Sequence, residues 1–261
     1  MNNLQNLKFV LELITKAGKN LKPYFGKIKG QGYKGGNAAD IVTSLDIEME
    51  ELLASSLKKH YPLIGFKGEE SGLREKAEMF WLADPIDGTG YFTRGIPGCT
   101  IMIALIDSKE IVFSVIYDFI NDNLYYAQKG QGAYCNNQKI HVSNLAPEEG
   151  YLYLECDINE STLPKFESLR RLSMVLSSGY PPGFEYAMVA SGKIEGRINF
   201  KPLGCDFDYA AGIFLVKEAG GIVTNIGSDK FNYTNLNSIA SNEKVYKALT
   251  KGKNPIFPSN L

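Results

Sequence analysis

The residues best suited to chemistry lie in one stretch, 81–92, which reads Trp-Leu-Ala-Asp-Pro-Ile-Asp-Gly-Thr-Gly-Tyr-Phe. An apolar run ends there in two carboxylates three residues apart, Asp84 and Asp87, and a Gly-Thr pair follows at once. Carboxylates gathered at the end of a strand need a cation to hold them together. Backbone N–H groups beside a glycine suit an anion instead. The stretch therefore predicts a site that brings a hard metal ion and a phosphate into contact.

The turn within this stretch is stiff, because its proline fixes φ and also restricts the residue before it. A stiff turn can direct both carboxylates to one point, and the carbonyl of Ile86 lies between them as a further candidate ligand. Gly88 permits close approach of a ligand, so the amides of Gly88 and Thr89 can hold a phosphate. The Thr89 hydroxyl has no His or Lys beside it to make it a nucleophile. It can instead orient a water molecule, or take its proton, if a carboxylate stands behind it.

Other carboxylates lie next to apolar strands or at the starts of helices. They are Asp46, the Glu69-Glu70 pair, and Asp206 with Asp208. Taken singly, Asp46 and Asp208 are best explained as helix caps, since each precedes a helical run. Taken together with the pair in 81–92, these residues supply the oxygen ligands that Mg²⁺ prefers. Two ions that share a carboxylate can clamp the attacking and leaving oxygens of an in-line displacement.

The composition is that of an ordinary globular protein. The 261 residues are 44% hydrophobic and 22% charged, with a net charge of −1, so no basic excess indicates nucleic-acid binding. The four cysteines have neither zinc-ligand nor redox spacing and are expected to be free thiols. The N-terminus lacks the layout of a secretory signal, and no apolar run approaches the length of a membrane helix. We therefore expect a soluble, cytoplasmic protein.

Hydrophobic periodicity predicts a mixed α/β protein with helices before and between short strands. Residues 26–36 are rich in Gly and Lys and predict a loop or hairpin. We expect one compact unit with two halves, in which 1–146 is an α+β half carrying most metal ligands and 147–261 is an α/β half carrying Asp208 and the substrate-side residues. The predicted helices are 3–25, 46–59, one between the strands 151–155 and 173–176, 185–191, 209–219 and 242–250. The predicted strands are 64–66, 80–83, 101–106, 111–117, 124–127, 151–155, 173–176, 194–200, 222–224 and 238–240.

Four segments, in order, resemble the inositol monophosphatase family, within the superfamily that includes fructose-1,6-bisphosphatases. They are 40–46, 68–71, 81–92 and 208–221. The resemblance spans nearly the whole chain, and segment 81–92 is highly specific, although Tyr91 stands where an Asn is common. The resemblance implies a layered αβαβα sandwich of the sugar-phosphatase type.

The same resemblance implies a site with two to three Mg²⁺ ions. Glu69, Asp84 and the carbonyl of Ile86 resemble the ligands of the first ion; Asp84, Asp87 and Asp208 resemble those of the second; Glu69 would also touch a third, weaker ion. Thr89 and Asp46 resemble the pair that helps to activate the attacking water, so Asp46, Thr89 and Glu69 are the predicted catalytic residues. Asp87, Asp208 and the amides of Gly88 and Thr89 would contact the substrate.

The chain departs from the family pattern at the metal ligands and on the substrate side. Phe207-Asp208 stands where the family has Trp-Asp, and Asp206 is a rival ligand two residues earlier, although the Ala-Ala-Gly that follows favours Asp208. The segment 178–183 reads Ser-Gly-Tyr-Pro-Pro-Gly, where the family usually has Gly-Ser/Thr-Ala-Ala. Lys201 takes the position of an acidic residue that often contacts inositol, which would favour an anionic group such as a second phosphate. Tyr180 and Lys201 are therefore predicted substrate contacts, and Phe184 is a third candidate that core packing explains better.

The sequence thus predicts a Mg²⁺-dependent phosphomonoesterase that acts on inositol monophosphate or a related sugar or nucleotide phosphate. Fructose bisphosphate, NADP, histidinol phosphate and adenosine 3′,5′-bisphosphate are alternative substrates. A regulatory protein that binds the RNA transcription machinery is the rival from another class, although the charge indicates no nucleic-acid partner. A structural Ca²⁺-binding domain is disfavoured, because no EF-hand spacing occurs. Sensitivity to lithium and a homodimer are expected from the resemblance alone.

Overall fold

The structure is a computed structural model that describes residues 7–28, 32–33, 41–73, 77–177, 179–228, 231–251 and 254–258. The loop or hairpin predicted for 26–36 lies largely outside these residues. The described residues form seven α-helices and fifteen β-strands. The helices are α1 (Lys8–Leu21), α2 (Ser44–His60), α3 (Thr89–Arg94), α4 (Leu163–Leu172), α5 (Pro182–Ala190), α6 (Asp206–Glu218) and α7 (Glu243–Thr250). The strands are β1 (Gly32–Tyr33), β2 (Ile41–Val42), β3 (Gly65–Gly68), β4 (Gly72–Leu73), β5 (Met79–Asp87), β6 (Thr100–Asp107), β7 (Glu110–Asp118), β8 (Asn123–Gln128), β9 (Gly132–Cys135), β10 (Gln138–Ile140), β11 (Tyr151–Glu155), β12 (Met174–Ser177), β13 (Gly196–Asn199), β14 (Ile222–Asn225) and β15 (Ser238–Ser241).

The larger sheet has eight strands in the order β10-β9-β8-β7-β6-β5-β3-β4. Its central strands are covered on both faces and are therefore apolar throughout, rather than alternating. In β6, Ile101 and Ile103 pack toward α1 and α2, whereas Met102 and Ala104 pack toward α5 and α6. The register of β5 against β6 shifts between Asp84 and Asp87. This irregularity at the end of β5 places the two carboxylates outside the regular alternation of the strand.

The smaller sheet has five strands in the order β12-β11-β13-β15-β14. Strand β11 runs parallel to β12 and β13, and β15 is antiparallel to its two neighbours. One core joins this sheet to α4 and α7 through Leu152, Ile198, Leu169 and Val245. These two helices cover the outer face of the smaller sheet.

Helices α5 and α6 lie between the two sheets. Phe214 of α6 and Tyr186 of α5 share one core with Met102 of the larger sheet and Ala240 of the smaller one. A Cβ at Gly212 would lie 2.2 Å from the ring of Tyr186, so the two helices approach closely there. The layers run α1/α2, sheet, α5/α6, sheet, α4/α7, and the predicted αβαβα sandwich is confirmed.

Several boundaries differ from the sequence-based expectation. Helix α6 begins at Asp206 rather than at residue 209, because Cys205 is the N-cap and Asp208 reaches back to its N–H. Helix α3 and the β9–β10 hairpin were not predicted. The division between 1–146 and 147–261 stays a prediction; the larger sheet uses residues 65–140 and the smaller one 151–241. Among the described helices, none has both the length and the apolar character to span a bilayer.

Candidate active site

Three carboxylates converge where β5 ends and α6 begins. One oxygen each from Asp84, Asp87 and Asp208 lies within 4.8 Å of the other two. Asp84 and Asp87 are each only 2% exposed. All three line a cavity of about 270 Å³, together with Glu69 and Ile86. The structure thus brings together every residue that the sequence predicted as a metal ligand.

The electrostatics of this cluster are unfavourable without a cation. Burial, followed by the charges of Glu69, Asp87 and Asp208, holds the pKa of Asp84 well above its ordinary value. Burial and the charge of Asp208 likewise raise the pKa of Asp87, against the hydrogen bonds that Asp87 accepts. Burial also raises the pKa of Asp208 to about 7, with a further contribution from Glu69. A divalent cation reverses this repulsion, and the all-oxygen donor set fits Mg²⁺.

Each carboxylate of the cluster is oriented through one of its oxygens, which accepts one or two hydrogen bonds. Oδ2 of Asp87 accepts from Thr100 Oγ1 and from Gly183 N, both at 2.8 Å. Oδ1 of Asp84 accepts from Ile86 N at 3.0 Å, and Oδ2 of Asp208 accepts from the N–H of its N-cap residue at 2.5 Å. The two groups that orient Asp87 were not predicted, because Thr100 comes from strand β6 and Gly183 from the start of α5.

Asp46 serves both as a helix-capping group and as a partner of Thr89. Its Oδ2 accepts from the N–H and hydroxyl of Thr43, at 2.7 and 2.6 Å, in a capping box at the start of α2. Its Oδ1 accepts from Thr89 Oγ1 at 2.8 Å. The capping and catalytic interpretations of Asp46 are therefore compatible, since each uses a different oxygen.

Gly88 is the N-cap of α3 and has a φ of 84°. A Cβ there would lie 2.2 Å from Cγ of Pro181, so both conformation and space require glycine. Gly88, Thr89 and Gly90 line the same cavity as the carboxylates. The first N–H groups of a helix have no partner within it, so this turn presents donors to the cavity wall.

The turn that carries Glu69 is held by a residue that the sequence did not single out. Glu50, only 1% exposed, accepts from the N–H groups of Glu70 and Ser71, at 2.7 and 3.0 Å. A Cβ at Gly68 would lie 2.2 Å from Oε2 of Glu50. The available signal was its spacing, because Glu50 lies one helical turn after Asp46 in α2.

Asp206 and Lys201 do not join the cluster. Lys67 Nζ lies 2.8 and 2.6 Å from the two oxygens of Asp206, so an ion pair already uses that carboxylate. Lys201 does not line the cavity, and its Nζ donates to Ser161 Oγ at 3.0 Å. The structure therefore favours Asp208 over Asp206. It also places Lys201 away from the position predicted for it, because the segment after β13 turns at that residue with a φ of 52°.

A fully buried arginine ties together the elements beside the cavity. Arg197 lies 2.8 Å from Glu185 Oε2 and 2.6 Å from Glu155 Oε2, and it also donates to Asn199. Glu155 accepts in turn from the hydroxyl of Tyr209, the residue after Asp208, at 2.7 Å. Burial alone would raise the pKa of Glu155, but Arg197 and these hydrogen bonds lower it overall.

Comparison with known proteins identifies the family to which this chain belongs. The sequence profile described as "Inositol monophosphatase family" matches residues 3–254. The chain belongs to the inositol monophosphatase family. The predicted family is confirmed, and with it the prediction of a phosphoric monoester hydrolase.

Individual relatives of this inositol monophosphatase family member match over most of their length. The chain is 30% identical over 260 residues to the Thermotoga maritima protein named fructose-1,6-bisphosphatase/inositol-1-monophosphatase. The match covers 97% of this chain and 97% of that protein. It is also 30% identical over 238 residues to the Pseudomonas aeruginosa protein named Nus factor SuhB, covering 86% of this chain and 87% of that protein. A solved structure titled Thermotoga maritima IMPase superposes with a TM-score of 0.83 at 29% identity, covering 93% of this chain and 94% of the other.

Proposed function

We propose that this protein hydrolyses a phosphate monoester of a small metabolite, such as inositol monophosphate or a related sugar or nucleotide phosphate, with Mg²⁺ held by the carboxylate cluster. The observation that carries the proposal is the convergence of Asp84, Asp87 and Asp208, two of them almost fully buried, beside a glycine turn and a bonded Thr–Asp pair. A carboxylate cluster that binds a metal ion would alone suit many functions. This cluster lies beside the backbone N–H groups of Gly88 and Thr89, which can hold an anion, and this favours phosphate chemistry.

The proposed ligands of two to three Mg²⁺ ions are the carboxylates of Glu69, Asp84, Asp87 and Asp208 and the carbonyl of Ile86. Bound there, Mg²⁺ supplies Lewis acidity that makes water a stronger nucleophile at neutral pH and offsets the charge of the phosphoryl oxygens. The buried, mutually repelling carboxylates support this assignment, since hard cations prefer such oxygens.

The remaining roles fall to side chains and amides of the chain itself. The Thr89 hydroxyl donates its hydrogen bond to Asp46, the nearer acceptor at 2.8 Å, rather than to the carbonyl of Ile86 at 3.0 Å, and the Thr89 oxygen can then accept from the attacking water. Thr89 therefore orients the water, and the Thr89–Asp46 pair takes up its proton. The amides of Gly88 and Thr89 hold the phosphoryl oxygens. Water adds to phosphorus, the bond from phosphorus to the ester oxygen breaks, and the products are an alcohol and inorganic phosphate.

The direct test is release of inorganic phosphate by purified protein with Mg²⁺. The substrate panel contains inositol 1-phosphate, fructose 1,6-bisphosphate, NADP, histidinol phosphate, adenosine 3′,5′-bisphosphate and simple sugar phosphates. We expect turnover of at least one ester with Mg²⁺ and none in chelator. No release from any ester with Mg²⁺, by a protein that is folded by circular dichroism, would contradict the proposal.

Mg²⁺ is expected to raise the melting temperature of the protein. A ligand at about 100 times its Kd stabilises by about 2.7 kcal/mol, which corresponds to a shift of about 5–10 °C for a chain of this size. In the Asp84→Asn variant, removal of one buried charge should raise the melting temperature without metal and shrink the Mg²⁺ shift. Differential scanning calorimetry with and without chelator measures both. Equal Mg²⁺ shifts in the two proteins would argue against Asp84 as a ligand.

Asp208 and Asp206 provide a matched pair of substitutions within one helix. Asp208→Asn should weaken Mg²⁺ activation by at least about 10–100-fold, the loss that is typical even for a residue that only hydrogen-bonds to a metal ligand. Asp206→Asn removes only the ion pair with Lys67 and should cost much less. Titration of initial rates with Mg²⁺ distinguishes them. A larger loss in Asp206→Asn would reverse the assignment.

A regulatory role in transcription is the second candidate, favoured by the identity to the protein named Nus factor SuhB. The retained carboxylate cluster supports catalysis as the primary role. The two roles separate in a host strain that lacks the gene. Rescue of its phenotype by the inactive Asp87→Asn variant would indicate a regulatory function.

We also propose a cytoplasmic homodimer that is inhibited by lithium, on the strength of the family resemblance. Light scattering coupled to gel filtration tests the dimer. Phosphate release across a lithium titration tests the inhibition, and fractionation of host cells tests the location.

A further inference from the structure

A second cavity, of about 140 Å³, lies against the C-terminal half of α6. Ile213, Phe214 and Lys217 of that helix contribute to its lining. At a rise of about 1.5 Å per residue, Lys217 lies about 14 Å from Asp208 along the helix axis. The catalytic cavity is lined by other described residues, among them Asp208 and the predicted substrate contact Tyr180. The second cavity is therefore separate from the catalytic one.

Three lysines from three different elements line this second cavity, which we call the lysine pocket. They are Lys109 in the β6–β7 turn, Lys129 in the β8–β9 turn and Lys217 in the last turn of α6. One carboxylate, that of Glu110, also lines the pocket, and its Oε2 lies 2.5 Å from Nζ of Lys129. The side chains of Lys109 and Lys217 make no hydrogen bond or ion pair with any described residue. Three lysines against one glutamate leave the lining with an excess of two positive charges.

Two further carboxylates lie near Lys129 but outside the lysine pocket. Asp107 and Glu218 attract Lys129 electrostatically, and neither of them lines the pocket. Oε2 of Glu218 accepts from the N–H groups of Gly130 and Gly132, at 2.9 and 3.2 Å, which fixes it to the β8–β9 turn. An anion in the pocket would therefore meet the ammonium groups directly and these two carboxylates only at longer range.

The turn that carries Lys109 does not itself explain a lysine. Ser108 and Lys109 join β6 to β7, and their φ values are 50° and 70°. Two-residue hairpin turns of this kind favour Asn and Gly, because a Cβ is unfavourable at left-handed φ. The contribution of Lys109 lies instead in the charge that it adds to the lysine pocket.

The floor of the lysine pocket is apolar and aromatic. Phe231 and Tyr233, from the segment between β14 and β15, line it beside Ile213 and Phe214 of α6. The lysines are exposed, whereas Ile213, Phe214 and Tyr233 are buried. The volume is below the about 300–1,000 Å³ that is usual for larger ligands, so the pocket has room for one ring. Together with the lysines, this floor suits a ring that carries an anionic group.

We propose that the lysine pocket binds a small aromatic anion, a molecule with one ring and one anionic group such as a carboxylate. Lys109 and Lys217 hold the anionic group, and the ring packs on the apolar floor. Because an ammonium group attracts an anion as a point charge, the lysines select for charge and the floor selects for the ring. This binding site goes beyond the proposed function and does not depend on the hydrolysis of any ester.

Binding of benzoate to the full-length protein, measured by isothermal titration calorimetry in chelator, tests the proposal. Chelator keeps metal out of the catalytic cavity, whose carboxylates then repel benzoate. Acetate, which lacks the ring, and benzamide, which lacks the charge, are the comparison ligands. We expect benzoate to bind at least about tenfold more tightly than either of them.

Two double variants locate the binding site. Lys109→Gln combined with Lys217→Gln removes the two unpaired charges and should weaken benzoate binding about tenfold or more. Lys16→Gln combined with Lys19→Gln is the matched control, because it removes two charges from exposed positions of α1 that do not line the lysine pocket. Both variants change only exposed side chains, so we expect melting temperatures close to that of the wild type.

Benzoate binding that the Lys109/Lys217 variant loses and the Lys16/Lys19 variant keeps would support the proposal. Equal binding to the wild type and to the Lys109/Lys217 variant would overturn it, because benzoate would then bind elsewhere. Equal affinity for acetate or benzamide would also overturn it, as would no detectable binding at about 10 mM benzoate. None of these measurements involves phosphate release, so they leave the proposed phosphatase activity to its own test.

Discussion

Asp87→Asn is expected to lower kcat/KM by about 10²–10³-fold, the loss typical of removing one group that stabilises a charged transition state. Oδ2 of Asp87 is held by Thr100 and Gly183, so the side chain is fixed with its other oxygen available to the cluster. Asparagine keeps one oxygen for those donors and replaces the other with an NH₂ group, which repels a cation. Steady-state phosphate release at saturating Mg²⁺ measures the loss.

The fold should survive this substitution, because it is isosteric and removes a charge whose burial is unfavourable. We therefore expect the melting temperature of Asp87→Asn in chelator to equal or exceed that of the wild type. Asp107→Asn is the control, because Asp107 is a half-buried residue at the far end of strand β6 and does not line the cavity; it should alter kcat/KM no more than about twofold. Turnover by Asp87→Asn within tenfold of wild type, at the same Mg²⁺ requirement, would remove Asp87 from the proposed site.

Arg197→Met is expected to destabilise the protein by about 3–5 kcal/mol, because it leaves buried carboxylates without a counter-charge. The side chains of Arg197 and Glu185 are both 0% exposed, and that of Glu155 is 17% exposed. Arg197→Lys should also be destabilising, because a single ammonium group lacks the planar fork with which Arg197 contacts both Glu185 and Glu155. Urea unfolding measures the free energy of unfolding, with Arg171→Met on the exposed face of α4 as the matched control.

A second substitution identifies the cause of that loss. Adding Glu185→Gln to Arg197→Met removes one unpaired charge and should recover part of the stability, which a merely steric defect would not allow.

The loss of stability caused by Arg197→Met also depends on pH. Because the pKa of Glu155 is lowered from its ordinary 4.5, its contribution is complete above that pH and is lost as the pH falls through the lowered pKa. The difference between wild type and Arg197→Met should therefore narrow in acid.

The elements that form the site could be predicted where local sequence determines them. The apolar run of β5 and the acidic turn that follows are contiguous, so segment 81–92 predicted both the strand end and the two carboxylates. Helix α6 ends before Gly220, whose φ of 87° explains the glycine there. The ends of β5 and α6 are determined by residues adjacent in the chain, so the local sequence pattern is sufficient to predict them.

The sequence could not predict contacts between side chains that lie far apart in the chain. The partner of Asp206 is Lys67, 139 residues away; the Ala-Ala-Gly pattern favoured Asp208, but only this pairing shows why Asp206 stays out of the cluster. The same holds for Thr100, which orients Asp87 from a different strand. The prediction for Lys201 rested on its position relative to Asp208 in the chain, whereas Lys201 has a φ of 52° and its Nζ donates to Ser161, 40 residues away.

The position of Asp208 at the start of α6 has a consequence for the order of synthesis. Ribosomes make the chain from its N-terminus, so Asp84 and Asp87 emerge long before the helix that completes their cluster. A chain that ends before α6 contains Asp84 and Asp87 but lacks Asp208, so it has only part of the ligand set. We therefore expect the metal site to be completed only after α6 has been synthesised, when about four fifths of the chain has left the ribosome.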